Sequence, residues 1–207
     1  MVIDPHELSD KDVYKLLIGS VVPRPIAWVS TVNAAGVCNL APFSFFTVAS
    51  RKPPMLCFSI GPGVNERQGT IKDTLINIRG MKEFVINVVS LPLADAMYET
   101  SRHLPPSVDE FQAANVTPVE SVEVKVPRVK ESLIQMECKL ETIIPLGGDH
   151  LVIGRMVKYH IRDDLYKNGR IDLQALQPVG RLAGNYTSVD HLFELPRKST
   201  QKKQPTR

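Results

Sequence analysis

The sequence predicts a mainly β protein, an antiparallel barrel with a few flanking helices. Three observations carry that expectation. Short runs rich in Val, Ile, Thr and aromatic residues recur between turn signals. Proline is frequent, at 16 of 207 residues; it lacks a backbone N–H and clashes with the preceding helical turn, so long helices are disfavoured. Two long β patterns, 132–144 and 150–161, flank Pro-Leu-Gly-Gly-Asp, the strongest hairpin signal in the chain. Six or so strands with only two or three helices fit a barrel better than a bundle. A chain of this length buries roughly 70% of its unfolded surface, enough for one domain, taken as 1–195, without staples.

The elements follow in order. Ser9 is placed to cap a helix through about Leu17, with Leu8 and Val13 on its apolar face. Residues 26–32 read as a strand and Asn33–Gly36 as a turn. A second strand is expected over 43–48, after a Pro42 that tolerates only an edge or a strand start. Residues 51–54 turn the chain into a buried strand at 55–60. A polar, glycine-rich loop at 61–69 leads to Thr70, the expected N-cap of a helix over 71–79 that Gly80 ends. Then come a strand at 83–90, a helix at 94–103, a proline-rich loop at 104–118 and the hairpin. Asn168-Gly169 marks a further tight turn.

Charge is unevenly spread. Residues 196–207 carry five basic side chains and no acid, which leaves 20 basic against 22 acidic residues in 1–195. The body therefore has no polyanion-binding signature, and neither nucleic acid nor a membrane is an expected partner. The tail lacks apolar anchors and is expected to be disordered. Cys38, Cys57 and Cys138 form no CxxC, so a reduced, cytoplasmic protein with inert thiols is expected. The N-terminus carries acids early and no apolar core, so no signal peptide is expected. No stretch reaches 18 apolar residues.

Two segments suit chemistry. Thr70–Thr74 opens a helix after a glycine-rich loop, and a helix N-terminus beside Lys72 and Arg67 favours phosphate. Taken alone, the stretch reads first as an ordinary capped helix. Residues 39–48, NLAPFSFFTV, mix hydroxyls with three phenylalanines, which suits a planar polar ring, but taken alone the segment reads first as a strand whose aromatics fill the core. His150 follows Gly148-Asp149 at the hairpin turn, where taken alone it reads first as a turn histidine satisfied by backbone. The five histidines and three cysteines show no ligand spacing, so no metal is expected. There is no GxGxxG, so any nicotinamide would bind without a Rossmann fold.

The pieces stand in a telling order: Pro-Arg-Pro-Ile-Ala-Trp-Val-Ser-Thr at 23–31, Asn-Leu-Ala-Pro-Phe-Ser-Phe-Phe at 39–46, Lys72-Asp73-Thr74, Phe-Val-Ile-Asn at 84–87 and Gly148-Asp149-His150. Over roughly 18–187 this resembles the flavin reductase-like, FMN-binding split-barrel family, in its flavoredoxin-like branch. The resemblance implies a six-stranded Greek-key split barrel. It also implies a homodimer, FMN near the interface, and NAD(P)H as the electron donor. It implies that Asn39, Ser44, Phe45, Phe46 and Thr47 line the ring edge and ribityl chain. Ser59, Ile60 and Gly61 would face the ring from the side, and Arg67, Lys72, Asp73 and Thr74 would form or support the phosphate site. Arg24 and Trp28 would approach the cofactor, Tyr186 would close the site, and His150 would take a positioning role near the nicotinamide. The implied activity is hydride and electron transfer by an FMN-dependent oxidoreductase. A flavoredoxin-like electron carrier without NAD(P)H activity and a non-flavin binding barrel stay open.

Overall fold

Alternate residues of the strand Pro54–Ile60 are buried, at Leu56, Phe58 and Ile60, the period-two signature of one face against a core. The structure, a computed structural model, describes residues 1–63 and 68–196. The expectations for Arg67 and for the tail from Arg197 onward lie outside the described residues.

The strands are β1 (Arg24–Pro25), β2 (Ala27–Val32), β3 (Cys38–Phe43), β4 (Phe46–Arg51), β5 (Pro54–Ile60), β6 (Glu83–Val88), β7 (Pro118–Val119) and β8 (Arg128–Val129). The hairpin β9 (Ile134–Leu146) and β10 (Asp149–Ile161) follows, then β11 (Tyr166–Lys167), β12 (Arg170–Ile171), β13 (Val179–Arg181) and β14 (Tyr186–Ser188). The helices are α1 (Asp10–Ser20), α2 (Asp73–Met81), α3 (Ala94–Glu99), α4 (Glu110–Ala113) and α5 (Leu173–Leu176).

Seven strands form the main sheet in the order β3-β2-β6-β9-β10-β5-β4, with every neighbouring pair antiparallel. The sheet curls around one cluster that draws Val29, Phe43, Phe58, Phe84, Met136 and Val152 from six of these strands. Phe43 on the edge strand β3 reaches Phe58 on β5 at a ring-centroid distance of 5.3 Å, so side chains bridge the two ends of the sheet. Among the described residues no ladder joins β3 to β4; only Ser44 and Phe45 connect them. The fold is therefore a split barrel. Helix α2 adds Leu75 and Ile78 to the core. Burying each such side chain contributes roughly 1.5–3 kcal/mol. A second cluster, with Trp28, Leu40, Met97 and Phe111, packs the outer face of the sheet under α3 and α4.

Several expectations change in detail. The six expected strands become seven, because the single strand at 43–48 is divided. Phe43 ends one edge and Phe46 begins the other, and the apolar run hides the break. Pro42 does lie in an edge strand, where its missing N–H costs no ladder bond. Ser9 caps α1, accepting the Asp12 N–H at 3.2 Å. Lys72, not Thr70, holds the cap position of α2, and no side chain caps it. Gly80 does not end that helix. It continues to Met81, and Lys82 turns the chain at φ 60°, because β6 begins at Glu83. The helix at 94–103 stops at Glu99, where the Thr100 hydroxyl bonds the Met97 carbonyl at 2.9 Å. Asn168 and Gly169 both have positive φ, as a tight two-residue hairpin requires.

Candidate functional site

Sequence neighbours in β3 and at the start of α2 meet through a buried polar network. The Thr74 hydroxyl donates to Asn39 Oδ1 at 2.8 Å, and the Thr31 hydroxyl donates to the same oxygen at 3.1 Å. Asn77 Nδ2 donates to Thr31 Oγ1 at 3.0 Å. Asn39 Nδ2 and the Leu40 N–H both donate to the Glu110 carboxylate, which is buried. The network fixes the amide of Asn39 and commits the Thr74 proton. The Thr74 hydroxyl is left with lone pairs to offer and no proton for an anion.

Above this network lies a polar cavity of about 90 Å³, lined by Asn39, Phe43, Lys72, Asp73, Thr74 and Thr100 among others. Lys72 Nζ stands 5.6 Å from the Phe43 ring centroid. A helix start without a side-chain cap presents N–H groups and the positive end of its dipole. With Lys72 at the cap, the start of α2 suits an anion. Asp73 and Glu110 line the same cavity and limit it to a ligand that the cation and helix end can hold.

A larger cavity of about 490 Å³ is lined by Ser44, Phe45, Phe46 and Thr47 with Arg24, Leu17, Val21, Cys57 and Leu151. The two cavities meet along the chain: Phe43 lines the first, and Ser44, the next residue, lines the second. Arg24 is buried and pins this wall. Its guanidinium donates to the carbonyls of Ile18 (2.8 Å), Val21 (2.7 Å) and Leu182 (2.9 Å) and reaches Ser44 Oγ at 3.4 Å. It also lies 5.7 Å from the Phe45 ring centroid. Burial pulls its pKa below the ordinary arginine value, with Arg181 adding to the effect and Tyr14 opposing it. Burial likewise pushes the Cys57 thiol up, against a bond with the Thr47 backbone.

The other expected residues lie elsewhere. Trp28 is fully buried, and its indole N–H donates to Thr100 Oγ1 at 2.9 Å. It therefore supports the polar cavity from behind and does not reach a ligand within it. Ser59 donates its N–H to the Phe45 carbonyl at 2.9 Å, tying β5 to the larger cavity's wall. Ile60 is fully buried and paired with β10, so it is closed to a ligand. Gly61 lies close to Asp149, where an added Cβ would come within 3.2 Å of Oδ1. His150 pairs with Ile60, and Leu151 with Ser59. Strand alternation puts His150 on the core face with Val152, opposite the Leu151 face that lines the larger cavity. His150 lines neither cavity. Tyr186 also lines neither; it stacks under Arg181 at 4.3 Å in the small sheet β1-β13-β14.

Glu110, Leu17, Val21 and Leu151 escaped the sequence reading. Glu110 had a local signal, because Asp109 caps α4 by accepting the Phe111 N–H at 2.9 Å. The other three are ordinary apolar residues whose place depends on tertiary packing.

The flavin reductase like domain model matches residues 18–177. The chain belongs to the flavin reductase-like family. An uncharacterized protein of Halalkalibacterium halodurans is 45% identical over 204 residues, 95% of this chain and 96% of the relative. The structure of nitrilotriacetate monooxygenase component B from Bacillus cereus superposes with a TM-score of 0.90 at 42% identity, covering 94% of this chain and 98% of that one. The 2-nitrobenzoate 2-nitroreductase NbaA of Pseudomonas fluorescens gives 0.87 at 30% identity, covering 98% of each. Among the described residues of this flavin reductase-like chain, no helix is long and apolar enough to cross a membrane. None of its described His, Cys, Asp and Glu side chains form a group of three able to hold a metal ion.

Proposed function

We propose that the chain is an oxidoreductase that holds FMN across the two cavities and oxidises NAD(P)H. One observation carries this reading. Residues 39–47 run from a small polar cavity, beside Lys72 and an uncapped helix start, into an apolar cavity several times larger. A phosphate would suit the first cavity and a planar ring system the second. Relatives named as a monooxygenase component and a nitroreductase support the redox class.

Bound there, the flavin supplies hydride and electron transfer with the nicotinamide nucleotide. The chain's own groups bind, orient and exclude water. Lys72 neutralises phosphate charge at the start of α2. Ser44 accepts from Arg24 and keeps its own proton for the ligand. Arg24 holds a fixed positive charge beside Phe45, which would favour a flavin carrying negative charge. Phe45 and Leu17 would offer apolar walls to the flavin. Burial keeps the Cys57 thiol protonated, so it takes no nucleophilic part.

The test is the visible spectrum after adding FMN and desalting, followed by anaerobic addition of NADH or NADPH. Retained, shifted flavin bands that bleach with either nucleotide are expected. Retained bands that neither nucleotide bleaches would identify an electron carrier. A colourless protein would overturn the flavin reading. Lys72→Ala is expected to weaken FMN about 10- to 100-fold, the loss of one charge-assisted contact, measured by quenching of flavin fluorescence.

The same reading includes a homodimer. Helix α1 buries none of its residues and exposes Tyr14, Leu16 and Leu17, and Leu17 also lines the larger cavity. A second copy over this face would give that cavity its missing wall. Sedimentation should show a dimer for the native protein and a monomer for Leu17→Asp.

A further inference from the structure

β8, the start of β9 and the end of β10 border a groove of about 460 Å³. It shares no lining residue with either cavity described above. Its charged lining is cationic, with Arg128, Lys130 and Arg162 beside His160.

The nearby carboxylates are already engaged. Asp164 pairs with Arg162. Glu137 is bonded to His160 and accepts the N–H groups of Val122, Glu123 and Val124. Glu131 feels the charge of Lys130 but accepts the Thr117 N–H at 3.1 Å. Among the described residues Lys130 makes no ion pair.

Arg128 is the unusual member. Its Nη1 donates to Gln135 Oε1 at 3.2 Å and its Nη2 to the Glu120 carbonyl at 2.8 Å, so it has no carboxylate partner. Its Nε is buried and unbonded, the one such side-chain nitrogen or oxygen among the described residues. A buried donor without an acceptor is costly, and no described carboxylate offsets the charge of this guanidinium. No described neighbour bonds Nε: Gln135 Oε1 accepts from Nη1 instead. Gln135 directs its amide N–H groups to the Val129 and Ser132 carbonyls, and Ser132 directs its hydroxyl to backbone oxygens. Tyr159, whose hydroxyl burial keeps protonated, adds an aromatic wall and one more donor.

We propose that this groove is a second ligand site, which binds the carboxylate or phosphate oxyanion of a small molecule on Arg128 and Lys130. A guanidinium matches either oxyanion with a planar fork of donors, and an ammonium adds an unpaired charge beside it. The site is independent of the flavin reading.

The experiment follows melting temperature and calorimetric titration at constant ionic strength, with sodium chloride exchanged for sodium phosphate or sodium benzoate. A saturable response to at least one anion is expected in the wild type and in Lys72→Ala, which removes the competing charge at the start of α2. The arm that responds identifies phosphate or carboxylate as the preferred group. Affinity should fall roughly tenfold in Lys130→Gln and in Arg128→Gln. Lys130 is exposed, so its variant decides the matter even if Arg128→Gln fails to fold. No saturable response to either anion overturns the proposal. So does a response unchanged in Lys130→Gln, or one abolished by Lys72→Ala.

Discussion

Replacing Gly154 with alanine is expected to cost about 3 kcal/mol of stability and to lower the melting temperature by about 6–12 °C. Gly154 sits in β10 between Leu56 of β5 and Leu140 of β9, beside a register shift. A Cβ there would lie 2.2 Å from Phe84 Cζ and 2.8 Å from Cε1. The ring has nowhere to retreat, because Phe84 is fully buried and meets Phe58 edge-on at 5.5 Å. Close-packed interiors transmit such an overlap into backbone shifts. Adding Phe84→Leu to Gly154→Ala should recover part of the loss in urea and thermal unfolding. A fall of under about 2 °C in the single variant would show that the ring yields freely.

Glu137→Gln is the second large effect, about 3 kcal/mol at neutral pH. This carboxylate is fully buried, and it accepts the Val122 N–H at 2.8 Å, the Glu123 N–H at 2.6 Å and the Val124 N–H at 3.1 Å. A glutamine would set an NH₂ group against those donors. Burial raises the Glu137 pKa, but the backbone N–H groups and His160 outweigh it, so the value falls below the ordinary 4.5. A carboxyl with a depressed folded pKa adds stability that is complete above its unfolded value. That stability is lost as pH falls through the folded value. Wild-type stability should therefore decline in acid below about 4.5, and Glu137→Gln should flatten that decline. Equal slopes for the two proteins would rule out Glu137 as a source of the acid sensitivity.

The parts of the fold that local chemistry dictates were legible in the sequence. The hairpin of β9 and β10, the Ser9 cap and the Asn168-Gly169 turn each rest on a few adjacent residues. The division of the 43–48 run was not legible, because Phe43 and Phe46 look alike in sequence and part only when the sheet curls. The candidate site was legible as a set of segments lining the two cavities rather than as side-chain roles. Lys72 and Asn39 line the polar cavity, and Ser44–Thr47 line the apolar one. Trp28 faces the outer core because it alternates with Ala27 and Val29, which face the barrel interior. The face of His150 is set by its register against Ile60, which no single strand reveals. Glu110 acts across 70 residues on Leu40, a separation that hides the contact from any local pattern.

A barrel that stays split keeps two free rims, and a free rim normally invites another chain to dock as an extra strand. Here each rim is blunted. β3 carries Pro42, which removes a donor from that rim, and the pairing of β4 with β5 is irregular between Val48 and Ser50. Runaway strand addition, the first step toward fibres, is thus discouraged at both ends of the sheet. The sequence keeps an opening beside its two cavities without leaving a template for aggregation.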